Sequence, residues 1–229
     1  MREEDHMTFY EKCQERTSRL MDFAINANQS YMLILIIRDL QANKNEIANI
    51  SPAFYQSVFR SCLQTLFIDV SKMFDDKKKN ESTLNLLSDM QKNQAQLENI
   101  GVIANHFQHL GDMKSYPFSC DNLQDILDKC MQLIAQNGDD IKALRKLRNK
   151  YYAHLDRDSQ NDLDKLFREN TVSLAAIERL LTLNINILNT LYMYFNNSTV
   201  FPVTTNHDDF KKTVWCIEQY DKLYHQNLQ

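Results

Sequence analysis

The scarcity of glycine and proline is the feature that most constrains how this chain can fold. The sequence has 229 residues but only three glycines and three prolines. These residues are typical of tight turns, because glycine tolerates a positive φ and proline presets a turn-compatible φ. The chain also has no run of alternating apolar and polar residues long enough for a sheet. We therefore predict an all-α fold of long helices with few tight corners.

Apolar residues recur at helical spacing through most of the chain. The pattern predicts helices over residues 7–26, 29–45, 52–74, 83–93, 96–110, 172–196 and 208–225. Another helix is expected from residue 122 to the Asn137-Gly138 break, and a basic helix follows that break. We predict a single multi-helix bundle over residues 1–197, with residues 198–229 forming a linker and a C-terminal helix that packs on the bundle.

Charge and cysteine content limit the class of protein. The net charge of −4 argues against a generic polyanion-coating protein but permits a local basic patch. Five cysteines without a CxxC spacing predict buried, reduced thiols and a cytoplasmic protein. The charged start of the chain does not resemble a signal peptide, and the longest apolar run, residues 31–37, is too short to cross a bilayer. We expect no membrane partner.

The most informative stretch is the basic segment from Asp139 to Arg157. Five of its basic residues fall within nine positions without an intervening acid: Lys142, Arg145, Lys146, Arg148 and Lys150. Arg148 is followed by Asn149 and, six residues on, by His154. Arginine suits phosphate binding and histidine suits proton transfer near neutral pH. The segment fits either phosphodiester chemistry or a solvated basic helix face with an incidental histidine.

Helix geometry limits the first interpretation. Six residues of helix place Arg148 and His154 roughly 120° apart around the axis. One straight helix therefore cannot direct both side chains at one phosphate. Either the helix ends or bends near Ala153, or a second copy of the segment completes the site; the sequence leaves both open.

The segment "LRNKYYAHLDR" resembles the Arg-polar-x4-His motif of the HEPN superfamily, all-helical domains that include many RNA-cutting toxins. The upstream block Leu66–Met90, "LFIDVSKMFDDKKKNESTLNLLSDM", is similar to the abortive-infection, AbiU-like branch. The two blocks in this order are more specific than the motif alone. The resemblance covers residues 5–197 and implies a HEPN-like helical domain over 1–197.

The resemblance implies a metal-independent endoribonuclease that acts in phage defence or as the toxin of a toxin–antitoxin pair. His154 would move protons, Arg148 would stabilise charge on the phosphate, and Asn149 would orient one of them. We predict RNA contacts and supporting roles for neighbouring residues: Lys142, Arg145, Lys146, Lys150 and Arg157 for RNA; Asp69, Tyr151 and Tyr152 as support. An acid at the end of the 52–74 helix, among them Asp75 and Asp76, would pair with Arg148 or orient His154. The alternative is a non-catalytic HEPN-like dimeric module that binds RNA or a partner protein.

No cofactor or metal is expected. His106 and His109 have a spacing that places two imidazoles on one helix face, but two ligands are too few for a metal site. The expected partners are RNA, a second copy of the chain, and a cognate antitoxin or another defence protein.

Overall fold

The computed structural model describes residues 7–97, 122–155, 172–196, 198 and 206–226. These residues form eight α-helices and one short 3-10 helix, and they contain no strand, which confirms the all-α prediction. The helices are α1 (Phe9–Asn43), α2 (Asn45–Ile50), α3 (Pro52–Met73), α4 (Thr83–Lys92), α5 (Leu123–Gln136), α6 (Gly138–Leu155), α7 (Leu174–Asn196) and α8 (Asn206–Gln226). The 3-10 helix spans Gln94–Gln96.

The first helix differs from its prediction. The sequence pattern indicated two helices, over residues 7–26 and 29–45, whereas α1 is continuous for 35 residues. Ala27 at the expected break is fully buried, and neither glycine nor proline interrupts the segment. Two asparagines flank Ala27, and their lower helix propensity is outweighed by burial of the alanine between them.

Capping residues explain where two other helices begin. The Ser82 side chain accepts a hydrogen bond from the Asn85 backbone N–H at the start of α4. The Asn122 side chain accepts one from the Asp125 backbone N–H at the start of α5. Both are the usual way to satisfy an amide that has no partner inside the helix. Both starts agree with the sequence prediction.

The chain divides into two compact units. The first comprises residues 1–24 and 68–201, and within it α4 packs on α5, α5 packs on α6, and α7 contacts both α5 and α6. Its core contains large side chains from several helices that are shielded from solvent: Val70, Met73, Phe74, Leu86, Leu127, Leu144, Leu147 and Leu188.

The second unit comprises residues 25–67 and 202–229. Its core is a cluster formed by the later part of α1 with α2, α3 and α8: Ile37, Leu40, Ile47, Tyr55 and Val214. The last helix therefore packs with residues that lie far from it in the sequence. The predicted division into residues 1–197 and 198–229 stays a prediction.

Among the described helices, α1 is long and apolar enough by composition to cross a membrane. The buried core helix of a soluble protein satisfies the same criterion, and α1 contributes Ile34, Ile37 and Leu40 to the interior.

Candidate functional site

The connection between α3 and α4 is built around the carboxylate of Asp75, and we call its residues 75–82 the Asp75 loop. Asp75 Oδ1 accepts a hydrogen bond from the Lys77 backbone N–H at 3.1 Å. Its Oδ2 accepts one from the Asn80 side-chain amide at 3.0 Å. The Ser82 hydroxyl donates to the Asp75 backbone carbonyl at 2.6 Å. Asp75 therefore organises the loop from the inside rather than facing solvent.

Arg148 of α6 reaches the same carboxylate. Its Nη1 donates to Asp75 Oδ2 at 2.9 Å, and the two residues are only 8% and 3% exposed. The Arg148 Nη2 lies 3.5 Å from Asn149 Oδ1, a long contact. The result is a buried ion pair that fixes the Asp75 loop to the helix carrying the basic segment.

The surroundings of Asp75 keep it ionised. Burial alone would raise the pKa of the carboxyl. Hydrogen bonds from the Lys77 N–H, Asn80 and Arg148, together with the arginine charge, outweigh burial and hold the Asp75 pKa below its usual value. The ion pair is thus intact at neutral pH.

A second ion pair lies beside the first but nearer to solvent. Arg145 Nη1 donates to Asp76 Oδ2 at 2.7 Å, and Arg145 Nη2 donates to the Phe74 carbonyl. The Asp76 side chain is 65% exposed. Two neighbouring aspartates therefore bind two arginines that are three residues apart on α6.

The outer side of α6 forms a shallow, open depression. Five residues line it, and we call them the α6 basic face: Lys142, Arg145, Lys146, Asn149 and Lys150. At 100° per residue they lie within about 140° of the helix circumference. Lys142, Lys146 and Asn149 are exposed. This face presents positive charge to solvent, as binding of a polyanion requires.

Arg148 is not part of this face. Arg148 and Asn149 are adjacent in the sequence, but the first is buried against Asp75 and the second is exposed. Any test of Arg148 must therefore allow for a structural role.

The structure describes the remaining predicted site residues only in part. The described part of α6 runs through Ala153 to Leu155, so the backbone is helical at both Arg148 and His154. The side chains of Tyr151, Tyr152 and His154 lie outside the described part of the structure. Arg157, His106 and His109 also lie outside the described residues.

Among the acids at the end of α3, Asp75 is the one that meets Arg148. The predicted supporting residue, Asp69, instead accepts from Lys72 on its own helix at 3.4 Å. The sequence alone does not show which of these acids pairs with Arg148. Asn80 and Ser82 favour turns and helix caps, so they indicate only that the segment is a structured connection. Within the described residues, no group of three or more His, Cys, Asp or Glu side chains is placed to hold a metal ion.

The all-helical fold and the Arg148-Asn149-x4-His154 motif together fit a HEPN-type protein. The family model HEPN_AbiU2, described as AbiU2, matches residues 10–213. The chain therefore belongs to the AbiU2 family, which makes it a HEPN-type abortive-infection protein. Comparisons with curated proteins and with solved structures gave no significant match.

Proposed function

We propose that this protein is a metal-independent endoribonuclease that acts in abortive infection or as the toxin of a toxin–antitoxin pair. The observation that carries the proposal is that one helix, α6, holds both the family motif and an exposed basic face. Lys142 and Lys146 supply charge for the RNA backbone at a position close in sequence to the motif. The family match supports the defence context.

The proposed reaction uses the RNA itself as nucleophile. The 2′-hydroxyl oxygen attacks the adjacent phosphorus, the bond to the 5′-oxygen breaks, and the products carry a 2′,3′-cyclic phosphate and a 5′-hydroxyl. His154 moves the protons of this exchange, which is the role that imidazole performs best near neutral pH. No metal is needed for this route, so a chelator should leave cleavage intact.

In this scheme Arg148 stabilises the charge that develops on the non-bridging phosphate oxygens. Its ion pair with Asp75 fixes the guanidinium in one orientation, and a fixed cation costs no reorganisation when the transition state forms. Asn149, which is exposed beside it, orients the phosphate or the histidine.

We further propose that two copies of the chain complete the site. Because α6 is helical from Arg148 through His154, these two residues lie roughly 120° apart around its axis. A symmetric dimer would place the His154 of one copy near a phosphate held by the other, and two-fold dimers are the commonest oligomers.

The burial of Arg148 favours a second candidate function, a non-catalytic dimeric module that binds RNA or a partner protein. An arginine that is 8% exposed and paired with a buried acid has an evident packing role. In this case the Arg148-Asn149-x4-His154 motif would stabilise the fold rather than catalyse a reaction, and the α6 basic face alone would bind the partner.

Replacement of His154 separates the two functions. His154→Ala should lower cleavage of a labelled single-stranded RNA by about 100-fold or more, the scale of general acid–base catalysis. RNA affinity should change little. Lys146→Ala should instead weaken binding and leave the cleavage rate at saturating enzyme nearly unchanged. Cyclic-phosphate ends on the products would identify the reaction.

Arg148 requires a gentler change than alanine. Arg148→Lys retains a charge for Asp75 but loses the guanidinium fork, so it should reduce cleavage while keeping the fold. Wild-type protein that binds RNA without cutting it would favour the non-catalytic module. Cleavage that is indifferent to His154→Ala, or that is abolished by EDTA and restored by Mg²⁺, would refute the proposed chemistry.

A further inference from the structure

We propose that the Asp75 loop is part of the RNA-binding surface, with Lys77, Lys78 and Lys79 binding backbone phosphates of single-stranded RNA beside the α6 basic face. The inference rests on the proposed function in taking RNA as the ligand. All three lysines are exposed. They follow directly on the two aspartates that bind α6.

The contact of Asp76 with Arg145 places the start of the lysine run close to the basic face. Arg145 belongs to that face and binds Asp76 at 2.7 Å. Lys77 is the next residue, and consecutive Cα atoms are about 3.8 Å apart. The three lysines thus begin one residue from a side chain that lines the α6 depression. An RNA strand along α6 would meet this loop.

The charge balance of the loop supports the same conclusion. Its acids are Asp75, Asp76 and Glu81, and each is paired with an arginine from outside the loop. Those partners are Arg148 and Arg145 of α6 and Arg16 of α1, at 2.9, 2.7 and 2.9 Å. The arginines compensate the acids, so the loop lysines add positive charge to that of Lys146, while Lys142 lies 3.8 Å from the Asp139 carboxylate. The chain as a whole is acidic, which makes this local excess more telling.

The loop is also held in one conformation before any ligand arrives. The Asn85 side-chain amide donates to the Lys77 and Asn80 carbonyls at 2.8 Å each. The Asn80 backbone N–H donates to the Lys77 carbonyl at 2.9 Å. With Asp75 inside the turn, the loop backbone loses little conformational freedom on binding, and a preorganised surface binds more tightly. These bonds use backbone groups of Lys77, so alanine can replace its side chain without disturbing them.

The salt dependence of RNA binding tests the inference. The triple variant Lys77→Ala/Lys78→Ala/Lys79→Ala is compared with a control that removes three exposed lysines of α8, Lys211→Ala/Lys212→Ala/Lys222→Ala. Both are made with His154→Ala, so that the RNA is not consumed, and circular dichroism verifies folding. Fluorescence anisotropy with a labelled oligoribonucleotide gives the observed association constant over a series of salt concentrations.

Each phosphate contact to a single strand contributes about 0.7 to the slope of log affinity against log salt. Loss of all three contacts should make the slope shallower by about 2, whereas the α8 control should keep the wild-type slope. An unchanged slope in the loop variant, an equal loss in the control, or absence of RNA binding by the parent protein would each overturn the inference.

These outcomes are distinguishable from those for the proposed function. If the protein with wild-type His154 binds RNA through the loop but does not cut it, this inference stands and the proposed nuclease activity is refuted. If the protein cuts RNA but its RNA affinity does not depend on the loop lysines, the proposed nuclease activity stands and this inference is refuted.

Discussion

The two neighbouring aspartates of the Asp75 loop allow a controlled test of what burial does to an ion pair. Asp75 binds Arg148 at 2.9 Å and Asp76 binds Arg145 at 2.7 Å, so the two pairs differ little in length. They differ in exposure, because the Asp75 side chain is 5% exposed and the Asp76 side chain 65%. We predict that Asp75→Asn lowers the free energy of unfolding by about 3 kcal/mol and Asp76→Asn by less than about 1 kcal/mol.

The magnitude for Asp75 follows from what the substitution leaves behind. Breaking a buried pair by neutralising one partner costs about 3–5 kcal/mol, because the other charge stays buried without compensation. Asparagine retains the shape of aspartate and an oxygen that can accept from the Lys77 N–H, so the lower end of that range is expected. Asp76→Asn leaves Arg145 bonded to the Phe74 carbonyl, and the lost partner is the exposed member of the pair, so the cost should be that of a surface pair, at most about 1 kcal/mol.

Urea unfolding followed by circular dichroism measures both changes by linear extrapolation. The measurement should be repeated as the pH is lowered. The pKa of Asp75 is depressed in the folded protein, so its stabilising contribution is fully present above the ordinary aspartate pKa of about 4 and is lost as the pH falls through the folded value. The difference between the wild type and Asp75→Asn should therefore shrink in acid.

A double variant provides the control for unpaired charge. Asp75→Leu/Arg148→Met removes both charges and should cost less than the sum of the two single changes, because neither group is left buried alone. Equal destabilisation by Asp75→Asn and Asp76→Asn, or a difference that is independent of pH, would refute this account of the loop.

Three further results are expected. Ser82→Ala should cost about 1–2 kcal/mol in urea unfolding, since the hydroxyl both caps α4 and donates to the Asp75 carbonyl; an effect below about 0.5 kcal/mol would contradict this. Cys216 is exposed, so the prediction that the cysteines are buried is wrong for this residue, whereas Cys13 is buried and its burial above all raises the pKa of the thiol to about 11. A thiol reagent at pH 8 should therefore modify Cys216 in the native protein and Cys13 only after unfolding. Light scattering at micromolar concentration should give the mass of a dimer, and a monomer with and without RNA would count against the two-copy site.

Helix starts were predictable from the sequence where local chemistry determines them. Ser51-Pro52 marks the start of α3, because the fixed φ of proline suits the first helical turn. Ser82 marks the start of α4, because its side chain accepts a hydrogen bond from a backbone amide of the first turn. The continuity of α1 was not predictable in this way. It depends on the burial of Ala27, which is a property of the packed protein rather than of the neighbouring residues.

The candidate site shows the same division between local and tertiary information. The spacing of the basic residues predicted an exposed positive face on one helix, and Lys142 and Lys146 are exposed. The burial of Asp75 and the exposure of Asp76 could not be predicted, because they depend on which of the two carboxylates is covered by α6. For the same reason the burial of Arg148 was missed, since nothing in "LRNKYYAHLDR" distinguishes an arginine that faces solvent from one that faces an acid.

The composition of the second unit bears on the order in which the protein folds as it is synthesised. Its core joins Ile37 and Tyr55 to Val214, so the apolar surface of the early segment has no native cover until α8 has been made. At about 5–20 residues per second, the interval between Tyr55 and Val214 lasts on the order of ten seconds. The first unit is complete once residue 201 has been made, 13 residues before Val214, whereas residues 25–67 still lack the native cover of α8 at that point. Slow translation of the last helix should therefore increase the demand for chaperones, and the unit that contains α6 should fold first.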